Sequence, residues 1–392
     1  MAPKSLPRRI GVVDQFSAGW TAAGIYSRMM LRSLDSVCDQ ADIELYFLSS
    51  SDAEDHPTSA KLIQLAPAKS RVLRGALRLR HLLHLGNNSD PFSIAQKNGI
   101  DVLLPLLDVP PWEVTSKLIG WIPDLQHVHL PEFFSEPELQ KRNTTIERLS
   151  ERATLVMLSS QAARKDFVSF APQGEKKARV LSFPSLLAFE PLSENPELSR
   201  TKFKLPEKFA LVANQFWAHK NHQAVVSAVA QLRERGISVP IVMTGLPVDS
   251  RDRSNSNFSS LLQAIASAGL NGQIIILGQV SYADLVNLMR TAAVIIQPSR
   301  FEGWSTIVQD AKALGRPVIC SDIAVHREQA PNALGFFPCD EPAVLADVLA
   351  DHWEKLAAGP NSSTEQSGLA NEREFARRQA ETLLKLCEEA CA

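Results

Sequence analysis

The stretch Gln297-Pro-Ser-Arg-Phe-Glu-Gly-Trp-Ser-Thr-Ile-Val-Gln-Asp-Ala-Lys-Ala-Leu-Gly-Arg-Pro-Val-Ile-Cys-Ser-Asp322 decides the fold class. An apolar run over 293–297 breaks at Pro298, and a turn holding Glu302 and Gly303 follows. Ser305 is placed to cap a helix that stops at Gly315, and 317–320 is a second apolar run. Strand, loop, helix and strand in that order make a βαβ unit, which demands a parallel sheet. A helix entered through a Gly-containing turn presents free N–H groups and a positive dipole end, a ready site for phosphate. Asp310 lies about one turn inside that helix, where a carboxylate can accept both hydroxyls of a ribose, and Glu302 is placed to hold sugar hydroxyls. Two carboxylates at this spacing also suit a plain capped helix with a solvated Asp. Trp304 suits stacking on a base or packing against the fold.

The same alternation extends outward on both sides. Residues 9–14, 43–48, 101–104, 118–122 and 154–158 read as strands, and 21–37 as a helix. Pro184, Pro191, Pro196 and Pro206 then interrupt the pattern. It restarts with strands at 209–213, 240–244 and 273–277. Asn221 can cap a helix that carries Val225, Val229 and Leu232 on one face and ends at Gly236. The organisation expected is a Rossmann-like domain over 1–183, a linker over 184–208, a second such domain over 209–370, and a terminal helix over 371–392 packing back on the first domain. Open α/β sheets bind ligands beyond the carboxyl ends of their strands. The loops 214–221, 278–281 and 298–306 all fall on that edge.

A length of 392 residues suits two domains. Lys+Arg of 41 against Asp+Glu of 43 gives −2, which disfavours a general nucleic-acid binder, and 45% hydrophobic content disfavours disorder. No apolar run approaches the roughly 20 residues of a membrane span. The first residues carry too short an apolar run for a signal peptide, so a cytoplasmic protein is expected. Cys38, Cys320, Cys339, Cys387 and Cys391 are odd in number and lack a C-x-x-C pair, the pattern of reduced thiols. Between His56 and Ser89 there is no acidic residue, while Lys61, Lys69, Arg71, Arg74, Arg78 and Arg80 are positive. As a helix, 69–85 is basic on one side and apolar on the other. That suits peripheral contact with an anionic membrane, or an ordinary solvated face. G-x-x-x-x-G-K-[ST], G-x-G-x-x-G at the first strand, G-x-S-x-G and H-E-x-x-H are all absent, so kinase, hydrolase and dehydrogenase readings lack their signatures.

The 297–322 stretch resembles the E-x7-E region of retaining glycosyltransferases of family 4, which have the GT-B fold, two Rossmann-like domains facing a central cleft. Leu277-Gly-Gln-Val-Ser-Tyr-Ala-Asp-Leu285 resembles the family's base-binding loop, and Ser321-Asp-Ile-Ala-Val-His-Arg-Glu-Gln329 its strand and turn after the motif. Asn214-Gln-Phe-Trp-Ala-His-Lys-Asn-His222 resembles the loop whose Lys meets the donor diphosphate. In the N-terminal half, Trp121-Ile-Pro-Asp-Leu-Gln-His-Val-His-Leu-Pro-Glu-Phe-Phe134 resembles the acceptor-side catalytic loop, and Gly19-Trp-Thr-Ala-Ala-Gly-Ile-Tyr26 the first Gly-containing loop.

The resemblance implies transfer of a sugar from a nucleotide-diphosphate sugar to a hydroxyl of a glycan or glycolipid, with no metal or other cofactor. It implies Lys220, Glu302, Asp124 and His127 as catalytic candidates, with His129 as a second imidazole. It implies Gly19, Asn214, Gln215, Lys220, Val280, Glu302, Gly303, Trp304, Ser305, Thr306 and Asp310 on the donor. Three positions depart from the pattern. Asp310 stands in place of the second Glu, Gln215 in place of an Arg, and Pro123 precedes Asp124 in place of a His. Arg300 and Arg327 are candidates for the missing cation. A protein of this fold that binds a sugar nucleotide without transferring it, or an epimerase, stays open as an alternative.

Overall fold

The computed structural model describes residues 7–15, 21–38, 42–50, 58–65, 90–193, 195–249, 251–252 and 254–392. Its strands form two sheets, both parallel throughout. The first holds β1 (Arg9–Val13), β2 (Glu44–Ser49), β3 (Lys61–Gln64), β4 (Val102–Leu106), β5 (Lys117–Ile122), β6 (Leu155–Leu158) and β7 (Ala178–Val180), in the order β3-β2-β1-β4-β5-β6-β7. The second holds β8 (Ala210–Ala213), β9 (Ile241–Thr244), β10 (Ile274–Gly278), β11 (Val294–Gln297), β12 (Val318–Ser321) and β13 (Gly335–Phe337), in the order β10-β9-β8-β11-β12-β13. The strand order reverses between β1 and β4 in one sheet and between β8 and β11 in the other. At such a reversal neighbouring connections run to opposite faces, leaving a crevice at the strands' carboxyl ends.

The central strands are near-continuous runs of Val, Ile, Leu and Ala because both their faces are covered. Val212, Met243 and Ile296 pack in one core cluster, and Leu211, Val242 and Ile295 in another. Alternate residues thus serve opposite faces of one sheet. Three strands escaped the sequence reading: β3, β7 and β13. They are edge strands of three or four residues, and β3 is mostly exposed. An edge strand needs no two-sided apolar run, so it leaves little pattern to read.

By internal contacts the chain divides into a first unit, Met1–Leu125, Glu136–Pro184 and Phe375–Ala392, and a second, Gln126–Ser135 and Ser185–Glu374. The proline-rich stretch is not a bare tether. It contains a short turn, Leu186–Ala188, and a helix, Glu197–Lys202, and belongs to the second unit. Ser199 Oγ and Lys202 Nζ reach the two carboxylate oxygens of Asp284 at 2.9 and 2.7 Å, anchoring that helix. The last helix, Ser362–Cys391, contributes to both units, passing from one to the other after Glu374. Within the first unit its end buries Ala380, Leu383 and Cys387, and Glu389 pairs with Arg179. All five cysteines are free thiols.

No helix among the described residues is long and apolar enough to cross a membrane. The basic stretch 69–85 and Gly19 lie outside the described residues.

Candidate functional site

β8 and β11 are neighbours at the reversal of the second sheet, so the loops leaving their carboxyl ends emerge side by side. Asn214 follows β8 directly and Gln297 is the last residue of β11. The Asn214 side-chain amide donates to Gln297 Oε1 at 2.9 Å, joining the two strand ends. Gln297 Nε2 donates to Glu302 Oε1 at 2.8 Å and to Ser299 Oγ at 3.1 Å. Lys220 Nζ comes to 2.6 Å from the same Glu302 oxygen, with the two side chains only 14% and 10% exposed. A backbone bond from Arg300 N–H to the His219 carbonyl, 2.8 Å, ties the loops together beside this pair. Residues eighty-two apart in sequence thus form one charged centre.

The local chain is built for that meeting. Lys220 ends a short turn, Ala218–Lys220, and Asn221 at φ +56° swings the chain into the helix His222–Glu234. Asn221 flanks this helix by its left-handed backbone and not by a side-chain cap, and its side-chain NH2 donates instead to the Cys339 carbonyl at 3.0 Å. Gly245, at the end of β9, lies so close to the Asn214 carbonyl that a Cβ would stand 2.0 Å from that oxygen. Any side chain there would push Asn214 off Gln297.

Histidines 219 and 222, on either side of Lys220, are buried. Burial first, then the charges of Lys220, Arg251 and His222, hold the His219 imidazole well below its ordinary range. Burial and Lys220 bring His222 down to about 3. Both rings are therefore neutral at physiological pH, and the fixed cation of this loop is Lys220.

The turn after β11 is pinned from below. Ser305 Oγ accepts the Val308 N–H at 3.3 Å, capping the helix Thr306–Ala313. Gln329 accepts from Ser305 N–H at 3.1 Å and donates to the Ser305 carbonyl at 2.7 Å. Gly303 is buried, while Trp304, Thr306 and Val280 are half-buried, with Val280 packed on the second unit's core.

Two donor-side expectations meet a different geometry. Asp310 does not stand on an open ledge beside Glu302. It faces inward, 5% exposed, accepting the Ser185 hydroxyl at 2.5 Å. Burial, with Glu372 and Glu190 acting in the same direction, pushes its carboxyl up to about 7. Glu372 accepts the Ser185 N–H at 2.6 Å and the Gln309 amide at 2.7 Å, and burial raises it as well. The cause is helical: one turn in from the cap, position 310 looks into the core. The shorter Asp reaches a serine there. Gln215, in the place expected for an Arg, turns its Oε1 to the Leu246 N–H at 2.6 Å and holds the next loop.

Both candidate replacement cations are engaged in partly exposed ion pairs. Arg300 is paired with Asp340 at 2.5 Å, and Arg327 with Asp322 at 2.7 Å. Arg251, which sequence reasoning did not select, also borders the loop: its Nη2 is 3.5 Å from His219 Nδ1, and it pairs with Asp249 at 3.1 Å. It also holds the segment 126–135 within the second unit. Its Nη1 is 3.3 Å from Gln126 Oε1, and its guanidinium lies 5.3 Å from the Phe134 ring and 5.2 Å from the Trp217 ring. His129 meets Phe301 at 5.1 Å and Phe133 meets His219 at 6.5 Å. The segment Gln126–His129 is helical with His127 buried, whereas Asp124 belongs to the first unit, 3.6 Å from Arg142. Arg251 sits in a polar loop with no periodicity, so no local signal marks it. Among the described residues no three His, Cys, Asp or Glu side chains converge as a metal site would require.

With two parallel sheets, each reversing once, and a charged centre at the second reversal, known structures of the same path are informative. A glycosyltransferase from Rickettsia africae superimposes with a TM-score of 0.65, covering 97% of this chain and 98% of its own at 16% identity. Anabaena HepE, solved with UDP and glucose, gives 0.64 over 97% of each chain at 15% identity. The chain has the GT-B fold.

Within that GT-B chain, residues 195–367 match the family model described as glycosyl transferases group 1. Asn214, Lys220, Gln297 and Glu302 all lie inside the match. The curated O-antigen chain mannosyltransferase B of Escherichia coli is 22% identical over 262 residues, 64% of this chain and 65% of that relative. The alignment thus spans a little under two thirds of the relative's length.

Proposed function

We propose that this GT-B chain is a retaining glycosyltransferase. It moves a sugar from a nucleotide-diphosphate sugar to a hydroxyl of a glycan or glycolipid, without a metal ion. The observation that carries the reading is the Lys220–Glu302 pair at the strand-order reversal of the second sheet, inside the segment that matches group 1 glycosyltransferases. HepE, of the same fold, was crystallised with UDP and glucose, and the E. coli relative is a mannosyltransferase of O-antigen chains; both are in keeping with this substrate class.

The chemistry follows from where charge develops. Breaking the bond from the sugar to the diphosphate places negative charge on the leaving oxygen. A cation and helix N–H groups fixed in a dry site stabilise that charge without having to reorganise. Lys220 and the capped start of Thr306–Ala313 supply them. Among the described residues nothing bonds to Glu302 Oε2, so that oxygen is available to donor-sugar hydroxyls while Oε1 holds Lys220. In a front-face transfer the leaving diphosphate oxygen takes the acceptor's proton as the new bond forms on the same face. The protein then supplies positioning more than a strong base. Asp124 and His127 are the acceptor-side groups on this reading.

The test is incubation with labelled UDP-, GDP- and ADP-sugars in chelator, with a panel of glycan and glycolipid acceptors. Proton NMR of the product anomer reads the stereochemistry. Released nucleoside diphosphate together with a glycoside of unchanged anomeric configuration supports the proposal. An inverted product overturns the retaining assignment. Tight donor binding with no product across the panel favours a non-catalytic binder, and an altered sugar nucleotide formed without acceptor favours an epimerase.

A further inference from the structure

We infer that Gln297 is a positioning residue for Glu302: its side-chain amide fixes which carboxylate oxygen meets Lys220 and which is left for substrate. This deepens the reading given under Proposed function and rests on it for its kinetic consequences. Gln297 is 1% exposed, at the end of β11. Its Oε1 accepts from the Asn214 amide at 2.9 Å, and the acceptor-only carboxylate of Glu302 fixes the sense of the Gln297 amide, because only the NH2 end can then face the loop. That NH2 spends its two hydrogens on Ser299 Oγ at 3.1 Å and Glu302 Oε1 at 2.8 Å. Both donors are used and the acceptor is filled.

Glu302 Oε1 thereby receives two bonds, from Gln297 and from Lys220, and both lie on one side of the carboxylate. Without the amide, a flexible Glu tied only to a flexible Lys has several rotamers open to it. With it, the carboxylate plane is set before a ligand arrives, and a misplacement of about 1 Å at such a centre costs on the order of 100-fold in rate. The support runs deeper into the fold. Ser321 Oγ donates to the Ser299 carbonyl at 2.5 Å and lies 3.0 Å from His326 Nδ1. Gln297, Ser299, Ser321 and His326 are each no more than 1% exposed. A buried polar chain of this kind is costly where a member is unsatisfied. The amide of Gln297 is bonded at both ends, and among the described residues the unpartnered atom of this polar chain is His326 Nε2 at its far end. Asn214, expected to touch the donor, acts one step back, by orienting Gln297.

Two variants and two readouts test this. Gln297→Met keeps the shape and removes both hydrogen-bonding ends. Gln297→Glu keeps an acceptor for Asn214 but sets a second carboxylate against Glu302, where a shared proton restores a donor as pH falls. The expected result for Gln297→Met is a fall of about 10- to 100-fold in kcat with the affinity for free nucleoside diphosphate within about 2-fold of wild type. For Gln297→Glu the activity optimum moves toward acid. A merely structural role predicts instead that nucleotide affinity and kcat fall together, with no change in the pH profile; that result, or unchanged kcat in Gln297→Met, overturns the inference. Crystal structures of both variants give a reading independent of turnover. Glu302 spread over more than one rotamer in Gln297→Met supports the inference, and Glu302 unmoved on Lys220 contradicts it. Wild-type protein that transfers no sugar would sink the transferase reading alone.

Discussion

The two carboxylates of the 297–322 stretch, Glu302 and Asp310, share a loop-helix unit and have opposite surroundings. Glu302 sits in the turn at a strand-order reversal, with a lysine on one oxygen and no bond among the described residues on the other. Asp310 is closed into the core against Ser185, with Glu372 nearby. One pairs with a cation; the other is raised by burial and by like charge. A carboxylate in a turn at the sheet's carboxyl edge faces whatever enters the crevice, whereas one turn further along the helix the same group looks inward. The first is equipped for a ligand, the second for holding the chain. Ser185 and Glu372, which close the second group, lie close in sequence to where the chain passes between the two units.

Breaking the first of these environments is expected to have the largest effect. Lys220→Ala removes the fixed cation and leaves Glu302 buried without its partner. Sugar transfer should fall by about 100- to 1000-fold, while the circular-dichroism spectrum stays native. Wild-type rates in this variant would remove Lys220 from the chemistry.

The second environment sharpens the contrast through pH. Asp310 is raised to about 7 from an ordinary 3.8, so the folded chain keeps a proton that the unfolded chain releases in between. Stability contributed by this carboxyl is fully present below about pH 3.8 and lost as pH rises through about 7. Asp310→Asn has no such loss. Its melting temperature should gain on wild type from pH 5 to about pH 7 and level off above it, read by thermal scans in matched buffers. Parallel curves across that range would show that Asp310 is not the buried acid described here. The smallest effect belongs to the helix that follows Glu302 and carries Asp310: Ser305→Ala should cost about 1 kcal/mol in a urea titration through loss of the cap.

Much of this was legible in the residues. The alternation of apolar runs and amphipathic stretches gave ten strands and both sheets, since the central strands need two-sided apolar runs. Lys220 was selected because its loop resembles the loop whose Lys meets the donor diphosphate, and Glu302 because it lies in the turn between strand and helix on the ligand-bearing edge. What stayed hidden depends on contacts between distant positions. That the inward-facing Asp310 meets Ser185, 125 residues away in sequence, is one such contact. That Gln215 serves the Leu246 backbone, and that Arg251 holds the segment 126–135, are likewise facts of packing with no local pattern. Gln297 reads as the last residue of a strand until the three neighbours of its amide, Asn214, Ser299 and Glu302, are seen.

The central claim is that the pair at the strand-order reversal receives a nucleotide-diphosphate sugar. It is tested most directly by isothermal titration of wild type and Lys220→Ala with UDP, GDP and ADP and with their sugar conjugates, in chelator. The account predicts saturable binding of one nucleoside diphosphate and its sugar to wild type, and at least about a 10-fold loss in Lys220→Ala, since a charge-assisted contact contributes about 1.5–3 kcal/mol. Equal affinity of the two proteins for that ligand, or binding to neither by any member of the panel, would contradict it.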